Sequence, residues 1–286
     1  MSASSDNAAR PAAVLDFTPD VTWAARSRWA YRDVMEAARL WRLCWMLGWL
    51  DIKLKYRGSV LGPFWLTLST AVMVAAMGGI YATLFRMNLH EYLPFLTLSL
   101  VLWGFVGAVV NEGCNSFVQQ ETMIRSERMP YTVYAVRIVL RNLLVLGHNL
   151  VVIVGVFAVL DTWPGWNALL SLPAMLLWLL DALALSFLLG ALCARFRDIP
   201  PIVNSLLQMA FFVTPVIWKP ELVGPDRAWL LPMNPLFSVL DVVRAPLLGQ
   251  VPTLMVYVSA IGYSALLCAL TWVFFVRARG RVSFWI

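Results

Sequence analysis

The chain has 286 residues, of which 60% are hydrophobic and only 13% charged, and its mean hydropathy is +0.73. Soluble domains are about half apolar and about a quarter charged, so this composition excludes a soluble globular domain and predicts an integral membrane protein. The formal net charge of +6 does not indicate a nucleic-acid partner, because the basic residues flank apolar runs, as they do at the anionic cytoplasmic face of a membrane.

The first 60 residues precede any run that is long enough to cross a bilayer. The start of the chain lacks the basic segment and apolar core of a secretory signal, so residues 1–26 are predicted to be a flexible cytoplasmic tail. Residues 27–60 place Trp41, Trp45 and Trp49 four apart, with Arg42 among them. This pattern favours an interfacial amphipathic helix over a seventh span.

Six later runs are apolar over about the 20 residues that a membrane-spanning helix needs. The fifth run is the shortest. The predicted fold is therefore all-α, with a six-span domain over residues 61–276 and a cytoplasmic C-terminal tail at 277–286. The six runs are 61–85, 93–112, 138–160, 167–192, 201–218 and 253–276.

The basic residues set the predicted orientation, because short loops that are rich in Lys and Arg stay in the cytoplasm. With both ends of the chain inside, all but four of the 22 basic residues fall on the cytoplasmic side. The exceptions are Arg86, Lys219, Arg227 and Arg244.

Two connections carry further information. The cytoplasmic loop between spans two and three mixes apolar and polar residues up to Pro130, which predicts a short helix. The outside connection, residues 219–250, has five prolines and two apolar runs, which indicates either re-entrant helices between spans five and six or an ordinary folded loop.

Motifs of soluble catalysis are missing from the sequence. It has no G-x-x-x-x-G-K-[ST] phosphate loop, no G-x-S-x-G and no H-E-x-x-H, so neither nucleotide hydrolysis nor a common hydrolase site is predicted in this chain. The four cysteines lack metal-ligand spacing, so no metal site is predicted either. The chain is therefore predicted not to be an enzyme, with no cofactor and no catalytic residue of its own.

Ionisable and polar residues inside spans are functional candidates, because a charge in hydrocarbon costs about 3 kcal/mol or more. His148, with Asn149 beside it, lies near the middle of the third span, and Asp181 lies at a similar depth in the fourth. A proton relay is one reading of this pair. A structural hydrogen bond between neighbouring helices is the other.

Five segments together resemble one family, the membrane permeases of ABC exporters that move cell-surface polysaccharides, especially O-antigen, with capsule and teichoic-acid exporters as relatives. They cover nearly the whole chain after residue 50. The segments are DIKLKYRGSVLGPFWLTLS (51–69), CNSFVQQETMIRSERMPYTVYAVRIVLRNLL (114–144), HNLVV (148–152), RFRDIPPIVNSLLQMAFFVTPVIW (195–218) and NPLFSVLDVVRAPLLG (234–249).

This resemblance implies a homodimeric permease in the bacterial inner membrane, bound to two copies of a separate nucleotide-binding subunit that holds ATP and Mg²⁺. A helix over residues 115–126 would dock on that subunit, and the interfacial helix would add Trp41, Arg42 and Trp45. The residues implied for the docking helix are Asn115, Phe117, Glu121 and Arg125.

The substrate implied is a polysaccharide linked to undecaprenyl diphosphate, which would pass from the cytoplasm to the periplasm. Basic residues would receive the diphosphate: Lys53, Lys55, Arg57 and Arg141. Aromatic residues would face sugar rings in the conduit: Phe64, Trp65, Tyr81, Phe85, Trp103 and Phe105. Three rivals remain at this stage, namely a permease of another lipid-linked or small molecule, a proton-coupled carrier and an intramembrane transferase.

Overall fold

The computed structural model of the protein describes residues 22–62, 64–127 and 129–286. Most of the predicted N-terminal tail, residues 1–21, lies outside the described residues. Every regular element within the described ranges is a helix, which confirms the all-α prediction.

Eleven α-helices and four 3₁₀ helices make up these ranges. The α-helices are α1 (Trp23–Arg39), α2 (Trp41–Lys55), α3 (Phe64–Leu84), α4 (Leu89–Cys114), α5 (Glu121–Ser126), α6 (Tyr131–Leu160), α7 (Ser171–Arg195), α8 (Ile199–Val213), α9 (Pro235–Leu247), α10 (Leu254–Ala278) and α11 (Val282–Trp285). The 3₁₀ helices are Val118–Gln120, Gly165–Leu170, Pro220–Val223 and Pro225–Met233.

Five helices in the described chain are long and apolar enough to cross a membrane: α3, α4, α6, α7 with its preceding 3₁₀ turn, and α10. They confirm the first four predicted spans and the sixth. The predicted fifth span is shorter than expected, because α8 has 15 residues, or roughly 22 Å of helix. It ends at Val213 since Pro215 disfavours the helical conformation at Thr214, whose ψ is 138°.

Helix α4 is the hub of the bundle. It packs against α3, α6, α7, α8 and α9, and 67% of its apolar window is buried inside the chain. The corresponding share is 17% for α3, and α8 has no buried residue among those described. Most of the surface of α3 and of α8 is therefore not covered by the rest of the chain, whereas α4 is well packed.

The two ends of the bundle are distinct. Helices α1, α5 and α11 lie at one end, together with the start of α6 and the end of α10, and we call this the α5 end. The 3₁₀ helices from Pro220 to Met233 and the helix α9 lie at the other, which we call the α9 end.

The single interfacial helix predicted for residues 27–60 is two helices, α1 and α2, which meet at Leu40. They diverge because they pack on different neighbours. Helix α1 contacts the start of α6 and the end of α10, whereas α2 lies along α6. In α2 the close approach occurs at Gly48, where a Cβ atom would come within 3.4 Å of the α6 backbone. Trp41, Trp45 and Trp49 are exposed.

Asp33 of α1 fixes this arrangement. Its carboxylate is buried and accepts hydrogen bonds from the backbone N–H of Tyr131 at 3.2 Å and of Thr132 at 3.0 Å, and from the Thr132 hydroxyl at 2.8 Å. Arg279 donates to the same carboxylate at 3.1 Å. The residue before α6 is Pro130, which has no side chain that can cap the helix. Asp33 therefore caps α6 from another helix and ties the end of α10 to it.

Replacement of Asp33 by Ala is expected to lower the free energy of unfolding by about 2–3 kcal/mol, because the helix cap is lost and the Arg279 charge loses its partner. Chemical unfolding of the protein in detergent micelles measures this. The matched control is Asp226→Ala, which removes an exposed carboxylate at the α9 end. Equal stability of the two variants would contradict the capping role.

Candidate functional site

The segment between α4 and α6 is held to the bundle by Phe117. This side chain is fully buried and makes edge-to-face contacts with Tyr131, Tyr134 and Phe187, at centroid distances of 5.9, 6.2 and 5.6 Å. Asn115 caps the end of α4 and donates to Asn111 O. These two residues, predicted for the docking helix, therefore anchor the segment.

The predicted helix over residues 115–126 is divided into the 3₁₀ helix Val118–Gln120 and α5. Glu121 and Arg125 form an i,i+4 ion pair of 2.9 Å on α5, and both side chains are about half exposed. Arg125 also donates to Ile286 O at 2.6 Å. An exposed pair of this kind contributes less than about 1 kcal/mol, so its charges are free to exchange partners at a surface.

A partly buried ion pair lies behind α5. Arg137 of α6 donates from Nε and Nη2 to the two carboxylate oxygens of Asp51 in α2, at 2.7 and 2.5 Å, which is a bidentate arrangement. The Nη1 atom of Arg137 donates to Gln120 Oε1 at 3.0 Å. One guanidinium thus joins the docking segment, α2 and α6.

Arg141, one turn further along α6, continues the contact to α4. It forms an ion pair of 2.6 Å with Glu112, and Asn142 donates to the same carboxylate. Arg141 also lies 3.7 Å from Asp51. Two arginines balance two carboxylates here. We call the residues Asp51, Glu112, Gln120, Arg137 and Arg141 the charged network.

Tyr56, just beyond α2, lies at the margin of this network. Burial raises the pKa of its phenol, and the negative charge of Glu112 raises it further. Tyr56 is therefore a neutral hydroxyl at physiological pH and adds no charge to the network.

The predicted diphosphate-receiving residues fall into two groups. Lys53, Lys55 and Arg57 are exposed at the end of α2 and in the turn after it. Arg141 lies in the charged network instead, already paired with carboxylates. Three of the four cations are therefore exposed near the end of α2.

The predicted conduit aromatics lie at three separate places. Phe64 and Trp65 are exposed at the start of α3, next to the basic turn. Tyr81 stacks on Phe85 at 5.7 Å near the end of α3. In α4, Trp103 and Phe105 are buried, and they pack against Phe211 and Trp178 respectively.

His148 and Asp181 have different partners. His148 Nδ1 is 2.7 Å from Leu144 O in its own helix, and its backbone carbonyl accepts a bond from Thr67. Asp181 accepts a hydrogen bond of 2.7 Å from Ser264 of α10. Asn149 Oδ1 is buried without a hydrogen-bond partner among the described residues. The hydrogen bonds of the described chain thus do not join the two titratable groups.

At the α9 end a second buried arginine was missed by the sequence reasoning, which counted it only as a loop charge. Arg244 of α9 is 1% exposed. Its guanidinium donates to Asp241, to Ser99 Oγ and to Pro215 O, and lies 4.5 Å from the centre of the Phe95 ring. We call these five residues the Arg244 clamp. The available signal was an Asp–Arg pair three residues apart in a helix that is otherwise apolar.

Other hydrogen bonds secure the same region. Tyr92 of α4 donates to Ile217 O at 2.6 Å, and Trp178 of α7 donates to Val239 O of α9 at 2.5 Å. Asn234 caps α9 and donates to Thr214 Oγ1. Helix α9 is therefore packed among α4, α7 and α10 instead of lying on a surface loop.

No cluster of three or more His, Cys, Asp or Glu side chains suited to a metal ion occurs in the described parts of the chain. The site consists of the docking segment with the charged network at one end and the Arg244 clamp at the other. This arrangement positions helices and carries charge; it does not supply a nucleophile with a base beside it.

Comparison with known proteins gives a consistent result. Residues 42–248 match the family described as ABC-2 type transporter. The chain is 28% identical over 199 residues to the O-antigen export system permease protein RfbA of Myxococcus xanthus, an alignment that covers 68% of this chain and 76% of that protein. A protein of the same name from Klebsiella pneumoniae is 22% identical over 191 residues, covering 66% and 74% of the two chains.

The bidentate pair in the charged network is testable by a double-mutant cycle. Asp51→Asn and Arg137→Gln are each expected to cost about 2–3 kcal/mol of unfolding free energy, because each leaves a half-buried charge without its partner. The double variant should cost less than the sum of the two by about 1–3 kcal/mol. Unfolding in detergent micelles provides the measurement.

The control cycle uses the exposed Glu121–Arg125 pair, whose coupling should stay below about 1 kcal/mol. Additive effects at Asp51 and Arg137 would show that the two side chains do not stabilise each other.

Proposed function

The chain belongs to the ABC-2 type transporter family, and we propose that it is the membrane permease of an ATP-driven exporter of O-antigen polysaccharide linked to undecaprenyl diphosphate. The observation that carries this proposal is the exposed helix α5, anchored by Phe117 and joined to α2, α4 and α6 through the charged network. The similarity to two proteins named as O-antigen export permeases supports the choice of substrate.

Membership of this family implies an ABC ATPase partner. We propose that two copies of the partner bind ATP and Mg²⁺ and dock on α5 and on the neighbouring exposed face of α1, where Tyr31, Arg32 and Glu36 line a shallow groove. Movement of α5 would pull on Gln120 and hence on Arg137, whose other contacts lead to α2. The neighbouring Arg141 extends the same path to α4. ATP binding and hydrolysis would bias the helices between two arrangements through these contacts.

The direction of the chain supports a sixth span. Helix α7 finishes at the α5 end, where the Arg195 guanidinium lies 5.1 Å from the centre of the Trp285 ring. Helix α10 starts at the α9 end, because the connection that leads into it bonds there to Asn167 through Gly249 O. Helix α8 and the turn at residues 214–218 must therefore take the chain across, with α9 dipping back into the membrane. Both ends would then face the cytoplasm of a bacterial inner membrane.

A homodimer accounts for the sides of α3 and α8 that the chain leaves uncovered. On α3, Ala75, Ala76 and Gly79 are exposed, and small residues allow two membrane helices to approach closely. We propose that the conduit lies between two copies. The exposed cations Lys53, Lys55 and Arg57 would receive the diphosphate at its cytoplasmic opening.

Docking through α5 is tested with the cognate ATPase. Glu121→Lys places two cations one turn apart on the docking face and is expected to weaken the complex roughly tenfold, an effect that salt should reduce. Binding of the two purified subunits in lipid nanodiscs gives the measurement. The control is Glu221→Lys, which makes the same charge change on an exposed residue at the α9 end. Equal weakening by both variants would argue against docking at α5.

Diphosphate recognition is tested by replacing Lys53, Lys55 and Arg57 together with Gln. Each cation near an anionic group contributes about 1 kcal/mol, so the substrate concentration for half-maximal stimulation of ATP turnover should rise roughly ten- to hundredfold. The control replaces three basic residues at the α9 end, Arg86, Lys219 and Arg227. A rise of the same size in the control would mean that overall charge, and not the α2 turn, controls the response.

A further inference from the structure

A cavity of about 320 Å³ lies between α4, α7, α9 and α10. Most of its wall is apolar, and the aromatic part is formed by Trp103, Phe105, Trp178 and Tyr263. The α10 side includes Leu266 and Leu270, whose side chains are more than half exposed, so the cavity opens onto the apolar outer surface of the bundle. The volume lies at the lower end of the range for small-molecule sites.

One carboxylate, Asp181, lies in the wall of this apolar space. Asp181 is only 6% exposed, and its Oδ2 atom accepts a hydrogen bond from Ser264 at 2.7 Å. The Oδ1 atom is also buried, and none of the described residues donates to it. A buried acceptor without a donor costs about 1–3 kcal/mol, and more when it is charged. Asp181 therefore holds, in the cavity wall, a buried acceptor that no described residue uses.

These two features define the chemistry of a ligand. It must be apolar over most of its surface, and it must carry a donor that neutralises a carboxylate. An amine meets both needs, because its ammonium form donates an N–H to the carboxylate and balances the negative charge. An alcohol would bond to Oδ1 but leave the charge uncompensated. We propose that this cavity is a binding site for a membrane-soluble aliphatic amine, with its ammonium group on Asp181.

A ligand in this cavity would contact α9. Pro235, Leu236, Val239 and Leu240 of α9 form part of its wall, and the Trp178 bond to Val239 lies beside it. A ligand that fills the space fastens α9 to α7 and α10. If α9 moves during export, a point that rests on the proposed function, the bound amine slows transport.

Binding is tested on the full chain alone in nanodiscs of uncharged lipid, by thermal unfolding with decylamine, decanol or decyltrimethylammonium. Decylamine should raise the unfolding temperature of the unmodified protein most, because decanol lacks the charge and the quaternary ion lacks an N–H donor. In Asp181→Asn the half-saturating concentration of decylamine should rise at least roughly tenfold. The control, Asp161→Asn, changes an aspartate beyond the end of α6 and should respond as the unmodified protein does.

A second variant tests the same site independently, in case Asp181→Asn does not fold. Leu267→Phe narrows the cavity, keeps the carboxylate and should also abolish the amine-specific shift. Equal shifts by decylamine in the unmodified protein and in both variants would overturn the site. Transport is measured separately: binding without any slowing of export would overturn only the role of α9, whereas a chain that binds the amine but exports no glycan would leave the site intact and contradict the proposed function.

Discussion

The bidentate contact between Arg137 and Asp51 is the interaction on which the α5 end depends. Without it, α2 would keep only the longer Arg141–Asp51 contact of 3.7 Å and apolar packing on α6, and the docking segment would lose its hydrogen bond through Gln120. Lipid cannot replace these partners, so a polar group that loses its contact near the membrane stays unsatisfied. The carboxylate of Asp33 acts in the same way one helix earlier, by capping α6 and holding Arg279. The start of α6 is therefore where α1, α2, α5 and α10 are brought together.

The opposite end repeats this design with a single arginine. Arg244 joins α9 to α4 and to the turn after α8, while the middle of the bundle between the two ends is packed mainly with apolar side chains. Apolar contacts in a bilayer give little preference for one helix position, because lipid tails are as apolar as leucine. The polar contacts at the two ends consequently decide which helices are joined to one another at each end.

The sequence predicted the elements that a general physical constraint controls. Five spans follow from the thickness of the bilayer, and the short helix before Pro130 follows from its amphipathic pattern. The shortness of α8 was not expected, although Pro215 marks its end. The charged network was not predicted because Asp51 and Arg137 are 86 residues apart in the sequence. In addition, a basic residue at the edge of an apolar run is first interpreted as a signal of membrane orientation. Aromatic residues serve both in packing and in sugar binding. The sequence alone therefore could not show that the six candidates lie at three separate places.

The contrast between the packed and the uncovered helices favours a conduit between copies over one inside the chain. A path through the interior would have to pass α4, which is the most buried helix and is joined to α9 through the Arg244 clamp. Helices α3 and α8 carry no such constraint, and the exposed cations at the end of α2 lead directly to the start of α3, where Phe64 and Trp65 are exposed. The end of α2 and the start of α3 therefore combine exposed cations with exposed aromatic faces, and the rest of the chain leaves most of α3 uncovered. The proposed substrate, which is charged at one end and rich in sugar rings, matches that order of groups.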